Sequence, residues 1–114
     1  MTDTAFWEKL ETLVASHDVI IDRPAGMAHP NYPDMLYPVD YGYLNGTAAV
    51  DGGGVDIFVG TTGLARIDGA MLTVDLAKSD AEVKILYSCT VEEMHAIRAF
   101  VESELTSGLL ILRG

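Results

Sequence analysis

Apolar and polar residues alternate along the chain in patterns that predict a helix near each end. Residues 4–16 carry apolar side chains at helical spacing, with Asp3 or Thr4 available as the N-cap. A second apolar stripe follows the capping-box sequence at positions 90–93, where a threonine is followed three residues later by a glutamate. We therefore expect two amphipathic helices that flank the rest of the chain.

Between and after these helices the pattern predicts strands. Runs of β-branched or alternating apolar residues occupy positions 19–21, 55–59, 70–77, 81–87 and 109–112. In strand 70–77 we expect Leu72, Val74 and Leu76 to face the core. The short polar turn at 78–80 predicts a hairpin. The fold class is thus α+β and mainly β: a small, mostly antiparallel sheet or barrel with flanking N- and C-terminal helices.

The segment 24–54 has no clear periodicity and holds all 4 prolines and six of the 11 glycines. We expect it to lack regular structure. Segments of this kind in compact domains usually serve function, so candidate chemistry is sought here first.

Length and charge narrow the class of protein. The 114 residues predict a single domain, 1–114. The formal net charge of −10 argues against a nucleic-acid partner or an anionic membrane surface. No apolar run approaches the ~20 residues of a bilayer span, and no signal peptide is expected. The lone Cys89 excludes an internal disulfide, and we expect a cytoplasmic protein. A homo-oligomer is left open.

Two pairs of aspartates are candidate ligands of a hard divalent cation, which prefers oxygen. Asp51 and Asp56 flank the glycine run 52–54, which lets the backbone approach a ligand closely. Asp75 and Asp80 lie on a strand and on the turn that follows, so a hairpin brings them near each other. The alternatives are a glycine-rich turn in the first case and two solvent-facing acids in the second.

Arg23 and His29 are candidate anion-binding residues. The guanidinium can bind phosphate bidentately, and the imidazole can donate a hydrogen bond or carry a proton. The alternative is a surface arginine and a histidine that packs in a loop. Tyr37, Tyr41 and Tyr43 are expected to pack this region, with one hydroxyl facing the site.

The order of these segments resembles that of the soluble family I inorganic pyrophosphatases. Positions 37–42 read Y-P-V-D-Y-G and match the family motif Y-P-x-x-Y-G. Positions 51–56 match the first and last acids of the signature D-G-D-P-x-D. Asp75 and Asp80 match a later acidic pair, and Asp22 stands where the family has an early glutamate. The resemblance extends over about 19–87.

The resemblance implies an OB-like antiparallel β-barrel with flanking helices. It also implies Mg²⁺, with Mn²⁺ as an alternative, and hydrolysis of pyrophosphate to phosphate. By the residue matches, Tyr41 would contact phosphate and Asp51 and Asp56 would be the catalytic residues. The metal ligands would be Asp22, Asp51, Asp56, Asp75 and Asp80.

Several positions depart from the family pattern. Gly53 replaces the middle signature aspartate, and Asn31 and Glu82 replace two lysines. We therefore expect Arg23, His29 and Lys84 to supply the positive charge for a phosphate-containing substrate. The leading hypothesis is an Mg²⁺-dependent phosphohydrolase acting on pyrophosphate or a related phosphoanhydride. The alternative is a non-catalytic metal- or phosphate-binding module that keeps the barrel.

Overall fold

The computed structural model describes residues 3–49 and 52–114 as two helices and eight strands. In chain order the elements are α1 (Thr4–Ala15), β1 (Val19–Arg23), β2 (Ala28–His29), β3 (Tyr32–Leu36), β4 (Asp40–Leu44), β5 (Val55–Val59), β6 (Ile67–Asp75), β7 (Asp80–Tyr87), α2 (Val91–Val101) and β8 (Thr106–Leu112). None of the helices in the described ranges is long and apolar enough to cross a membrane.

Six of the described strands form one mixed sheet in the order β1-β4-β5-β7-β6-β8. Only β5 and β7 run parallel; the other neighbours are antiparallel. Strands β2 and β3 form a separate two-stranded ribbon. The mainly β architecture with two helices is confirmed. The described sheet is open, because β1 and β8 are its two edges, so the OB-like barrel is not confirmed.

Both helices and the strand at 55–59 form as predicted. The capping box of α2 is complete: Thr90 Oγ1 accepts the Glu93 backbone N–H at 3.0 Å, and the Glu93 carboxylate accepts the Thr90 N–H at 2.9 Å. The predicted hairpin also forms, as β6 and β7 pair antiparallel and end on the Asp75–Asp80 pair.

The expectation that 24–54 lacks regular structure is wrong, because β2, β3 and β4 all lie within it. Strand β4 pairs with β1 on one side and β5 on the other. Its Gly42 lies so close to β1 that an added Cβ would fall 1.7 Å from the Ile20 carbonyl oxygen. The glycine therefore permits a close strand contact, although in the sequence it looks like a loop residue.

The core has one layer on each face of the large sheet. The layer under α1 consists of Trp7, Leu10, Val14, Leu44, Ile57, Ile67, Ala70 and Ile85. The layer under α2 consists of Tyr37, Val39, Phe58, Met71, Leu86, Cys89, Met94 and Ile97. The two helices thus lie on opposite sides of the sheet.

The predicted inward face of β6 is wrong. Leu72, Val74 and Leu76 are 41%, 46% and 65% exposed. Their neighbours Met71 and Thr73, on the opposite face, are 0% and 6% exposed. The alternation itself is present, but α1 covers only the other end of the Leu72 face, so the residues near the hairpin remain uncovered.

Candidate functional site

A polar cavity of about 240 Å³ opens on the sheet face that α2 covers. Three acidic and three basic side chains are among the described residues that line it. The lining consists of Asp22, Arg23, Tyr41, Gly42, Tyr43, Gly53, Asp56, Lys78, Glu82 and Lys84. The cavity therefore combines groups that suit a cation with groups that suit an anion.

Strand register brings these side chains together. Tyr43 is the cross-strand partner of Asp56 in the β4–β5 pair. Ile57 is the partner of Ile85 in the parallel β5–β7 pair. The residues just before these two, Asp56 and Lys84, therefore adjoin on the opposite face of the sheet. The parallel pairing of β5 and β7 thus places an acid of one strand beside a lysine of the other.

Lys84 lies between two carboxylates. Its Nζ is 2.6 Å from Asp56 Oδ2 and 3.0 Å from Glu82 Oε2. The side chains of Lys84, Asp56 and Glu82 are only 14%, 15% and 9% exposed. Burial opposes the charge of Lys84, but the two carboxylates outweigh it, so the pKa of Lys84 is raised. Lys84 is therefore a charged ammonium at neutral pH.

Glu82 is only partly satisfied by this arrangement. Among the described residues its Oε1 is buried and has no hydrogen-bond partner. Burial raises the pKa of Glu82; Lys84 lowers it, and the nearby Asp56 carboxylate raises it again. Two acceptors with one ammonium between them leave one oxygen of Glu82 in need of a donor or a cation.

Arg23 and two tyrosines form the adjoining wall. The Arg23 guanidinium donates to the Tyr37 hydroxyl and lies 5.6 Å from the ring centres of both Tyr37 and Tyr41. Burial, together with the adjacent Asp56 carboxylate, raises the pKa of Tyr41 well above its ordinary range. Its hydroxyl is therefore protonated and can act as a hydrogen-bond donor.

His29 is placed behind this wall. Its ring stacks on Tyr37 at 6.1 Å, and its Nδ1 accepts the Asn31 backbone N–H at 3.1 Å. Partial burial, with the positive charges of Arg23 and Lys78, lowers the pKa of His29 below 6.5. His29 is not among the described residues that line the cavity. Its contact with a ligand stays a prediction.

The predicted aspartates are placed differently from one another. Asp22 and Asp56 line the cavity, whereas Asp51 lies outside the described residues. Asp75 and Asp80 face each other at the end of the β6–β7 hairpin and are not in the described lining. Asp75 Oδ1 there accepts the N–H groups of residues 77 and 78 at 2.9 Å and 3.2 Å.

No group of three or more histidine, cysteine, aspartate or glutamate residues is placed to hold a metal ion within 3–49 and 52–114. Asp80, Glu82 and Lys84 nevertheless alternate along β7 and so share one face of the sheet. That alternation of charged residues is the signal that could have pointed to Glu82, which sequence reasoning treats only as a missing lysine.

Comparisons with known proteins give partial matches to one group. No family model matches the chain. Inorganic pyrophosphatases from Geobacillus stearothermophilus and Bacillus sp. (strain PS3) are each 38% identical over 60 residues, which is 46% of this chain. The match spans 36% of the length of each of these relatives, so the chain covers about a third of them.

Solved structures share the fold. An inorganic pyrophosphatase from Coxiella burnetii superposes with a TM-score of 0.64 at 20% identity, over 83% of this chain and 84% of the other. The inorganic pyrophosphatase of Helicobacter pylori gives a TM-score of 0.61 at 17% identity, over 85% of each chain. The resemblance indicated by the sequence is thereby confirmed, and this chain has the fold of the inorganic pyrophosphatases.

Proposed function

We propose that this protein is a divalent-metal-dependent phosphohydrolase that acts on pyrophosphate or a related phosphoanhydride. The similarity to inorganic pyrophosphatases supports this proposal in sequence and in fold. The observation that carries it is the composition of the cavity, where Asp22, Asp56 and Glu82 face Arg23, Lys78 and Lys84. A phosphate bound through a metal ion needs both kinds of group in one place.

The donors of the cavity fit a hard cation. They are carboxylate oxygens, and one of them, Glu82 Oε1, is buried without a partner in the described part of the chain. We propose that Mg²⁺, or Mn²⁺ in its place, is held in the cavity by Asp56 and Asp22. Asp51, which lies outside the described residues, and Asp75 and Asp80, which lie outside the described lining, remain ligands that the resemblance predicts. When bound, such an ion neutralises phosphate charge and acidifies water.

The basic and phenolic groups would bind and orient the phosphates. Arg23 offers a guanidinium fork, which suits two oxygens of one phosphate. Lys78 and Lys84 add point charges on the same cavity. Tyr41 would donate a hydrogen bond from its protonated hydroxyl, which lies beside Asp56. Asp51 and Asp56 are the proposed catalytic carboxylates.

A non-catalytic binding module is the second candidate. The observation that favours it is the pairing of Lys84 with both Asp56 and Glu82, which already neutralises part of the acidic charge of the cavity. Gly53 also carries no carboxylate where the resembling family has one. Both features would slow hydrolysis while leaving a ligand site in place.

The deciding experiment is phosphate release from pyrophosphate by purified protein, with Mg²⁺ and after its removal by a chelator. We expect slow release that requires Mg²⁺ and falls by ~10²-fold or more in Asp56→Asn, the scale for loss of one electrostatic group. Asp34→Asn is the matched control, because Asp34 is exposed on β3 and outside the cavity lining. Binding of pyrophosphate without release would favour the second candidate.

A further inference from the structure

Around Lys84, the ion pairs of the cavity leave one buried carboxylate oxygen without a partner among the described residues. Two buried carboxylates, Asp56 and Glu82, converge on the single ammonium of Lys84. The three side chains are at most 15% exposed, so their polar atoms need partners inside the protein or in a ligand. One ammonium serves four carboxylate oxygens here, so part of their acceptor capacity is unused.

The unsatisfied atom points to the missing partner. Glu82 Oε2 accepts from Lys84, whereas its Oε1 has no partner among the described residues, although the side chain is only 9% exposed. The Asp56 carboxylate is also close enough to contribute to the raised pKa of Glu82. Two carboxylates that share one ammonium keep acceptor capacity for a further positive partner.

We propose that Glu82 joins Asp56 as a ligand of the divalent cation in this cavity, and that the Lys84 ammonium holds the two carboxylates in place until the cation enters. This inference rests on the proposed function, which it deepens by naming Glu82. Mg²⁺ commonly binds through one or two carboxylates and completes its shell with water and substrate phosphate, so two protein ligands are enough.

The residues around the cavity place a carboxylate on β7 at Glu82, whereas Gly53, which also lines the cavity, has none. The acid that the loop lacks is thus supplied by the neighbouring strand. Entry of the cation would release Lys84 from its two carboxylates, and the freed ammonium could then pair with a phosphate on the same cavity.

The test measures the binding of Mn²⁺ in the absence of substrate at neutral pH. Binding is monitored by electron paramagnetic resonance as the loss of the free-ion signal, and Mg²⁺ serves as the competitor. The variants are Glu82→Gln and Asp56→Asn, and Glu92→Gln is the matched control on an exposed glutamate of α2. We expect the first two to weaken binding by about tenfold or more and the control to bind as the wild type does. Circular dichroism verifies that each variant is folded.

A structural role for Glu82 gives a different result. If Glu82→Gln lowers the melting temperature but leaves Mn²⁺ affinity unchanged, Glu82 is an ion-pair or proton-sharing partner and the inference is overturned. Absence of Mn²⁺ binding by the wild type at millimolar concentration also overturns it. The proposed function is judged separately, since phosphate release that persists unchanged in Glu82→Gln would leave it standing while the cation site falls.

Discussion

The two faces of strands β7, β6 and β8 differ in which side chains are withdrawn from water. On the face toward α2, the charged side chains of Lys84 and Glu82 are 14% and 9% exposed. On the other face, Leu72, Val83 and Leu109 are 41%, 42% and 62% exposed. These three are cross-strand partners, since Leu72 pairs with Val83 on one side and with Leu109 on the other. Polar groups are buried and apolar groups exposed on the same three strands.

The difference shows that coverage, rather than the polarity of a residue, decides burial here. Charged groups withdrawn from water are costly unless they are paired, and on the face toward α2 Lys84 is paired with both Asp56 and Glu82. Apolar side chains that remain in water cost little in comparison, because each only forgoes a favourable transfer. The contrast can be tested by changing residues on one face at a time.

The largest expected effect comes from Lys84→Met. The substitution leaves the buried Asp56 and Glu82 carboxylates without a counter-charge, so we expect the free energy of unfolding to fall by about 3–5 kcal/mol at neutral pH. Urea unfolding monitored by circular dichroism measures it. Lys78→Met is the control, because Lys78 is exposed and should change stability by less than ~0.5 kcal/mol. Equal losses in both variants would contradict the contrast.

The next largest effect is a difference in stability cost between alanine substitutions at two adjacent residues of β6. Met71 is 0% exposed and Leu72 is 41% exposed, although they are neighbours in the chain. We expect Met71→Ala to cost about 2–5 kcal/mol, because it opens a cavity under α2. Leu72→Ala should cost less than about 1 kcal/mol, since much of its side chain is already in water. Thermal or urea unfolding of the pair compares them, and a larger loss at Leu72 would show that the faces are assigned the wrong way round.

A smaller effect concerns how α2 is held over the cavity face. Glu93 accepts the Thr61 N–H and hydroxyl as well as the Thr90 N–H. Burial opposes the charge of Glu93, but these hydrogen bonds outweigh it and lower its pKa below the ordinary 4.5. We expect Glu93→Gln to cost about 1 kcal/mol at neutral pH.

The sign of the pH dependence follows from that lowered pKa. The contribution of the Glu93 charge is present above 4.5 and is lost as the pH falls through the pKa of the folded state. The stability difference between the wild type and Glu93→Gln should therefore narrow in acid. Unfolding measured over an acidic pH series tests this, and a gap that widens in acid would refute it.

The smallest effect is expected on the exposed face. Leu109→Lys places a charge where the leucine is 62% exposed, and we expect a change in stability within ~0.5 kcal/mol. Leu110→Lys is the matched comparison, because Leu110 packs on the layer under α2. We expect this variant to lose clearly more stability than Leu109→Lys. Urea unfolding compares the two, and a large loss at Leu109 would mean that this face is covered in solution.

Local chemistry made part of the fold predictable. The capping box at Thr90 and Glu93 and the apolar stripe that follows it predict α2, because these interactions lie within a few residues of one another. The alternation at 55–59 predicts β5 for the same reason. Strand β4 was missed, since its glycine and the prolines around it are typical of loops and only pairing with β1 and β5 makes the segment extended.

Some residues of the candidate site could be predicted from the sequence, whereas their contacts across strands could not. Tyr41 and Asp56 are recognisable from the resemblance and Arg23 and Lys84 from residue type, and all four line the cavity. The alternation along β7 points to Glu82, but its position beside Asp56 could not be foreseen, because it depends on the parallel register that sets β7 beside β5. Contacts between residues 28 positions apart, such as Asp56 with Lys84, leave no local pattern.

The sequence by itself determined which residues share a face, where both helices form and which chemistry the acids and bases can perform. These properties follow from side-chain spacing and from interactions between near neighbours. Only the tertiary structure decided which face of β6 is buried and that Lys84 lies between two carboxylates. Both outcomes depend on where α1 and α2 pack and on the order of the strands, and the free energy of that packing is spread over contacts between distant parts of the chain.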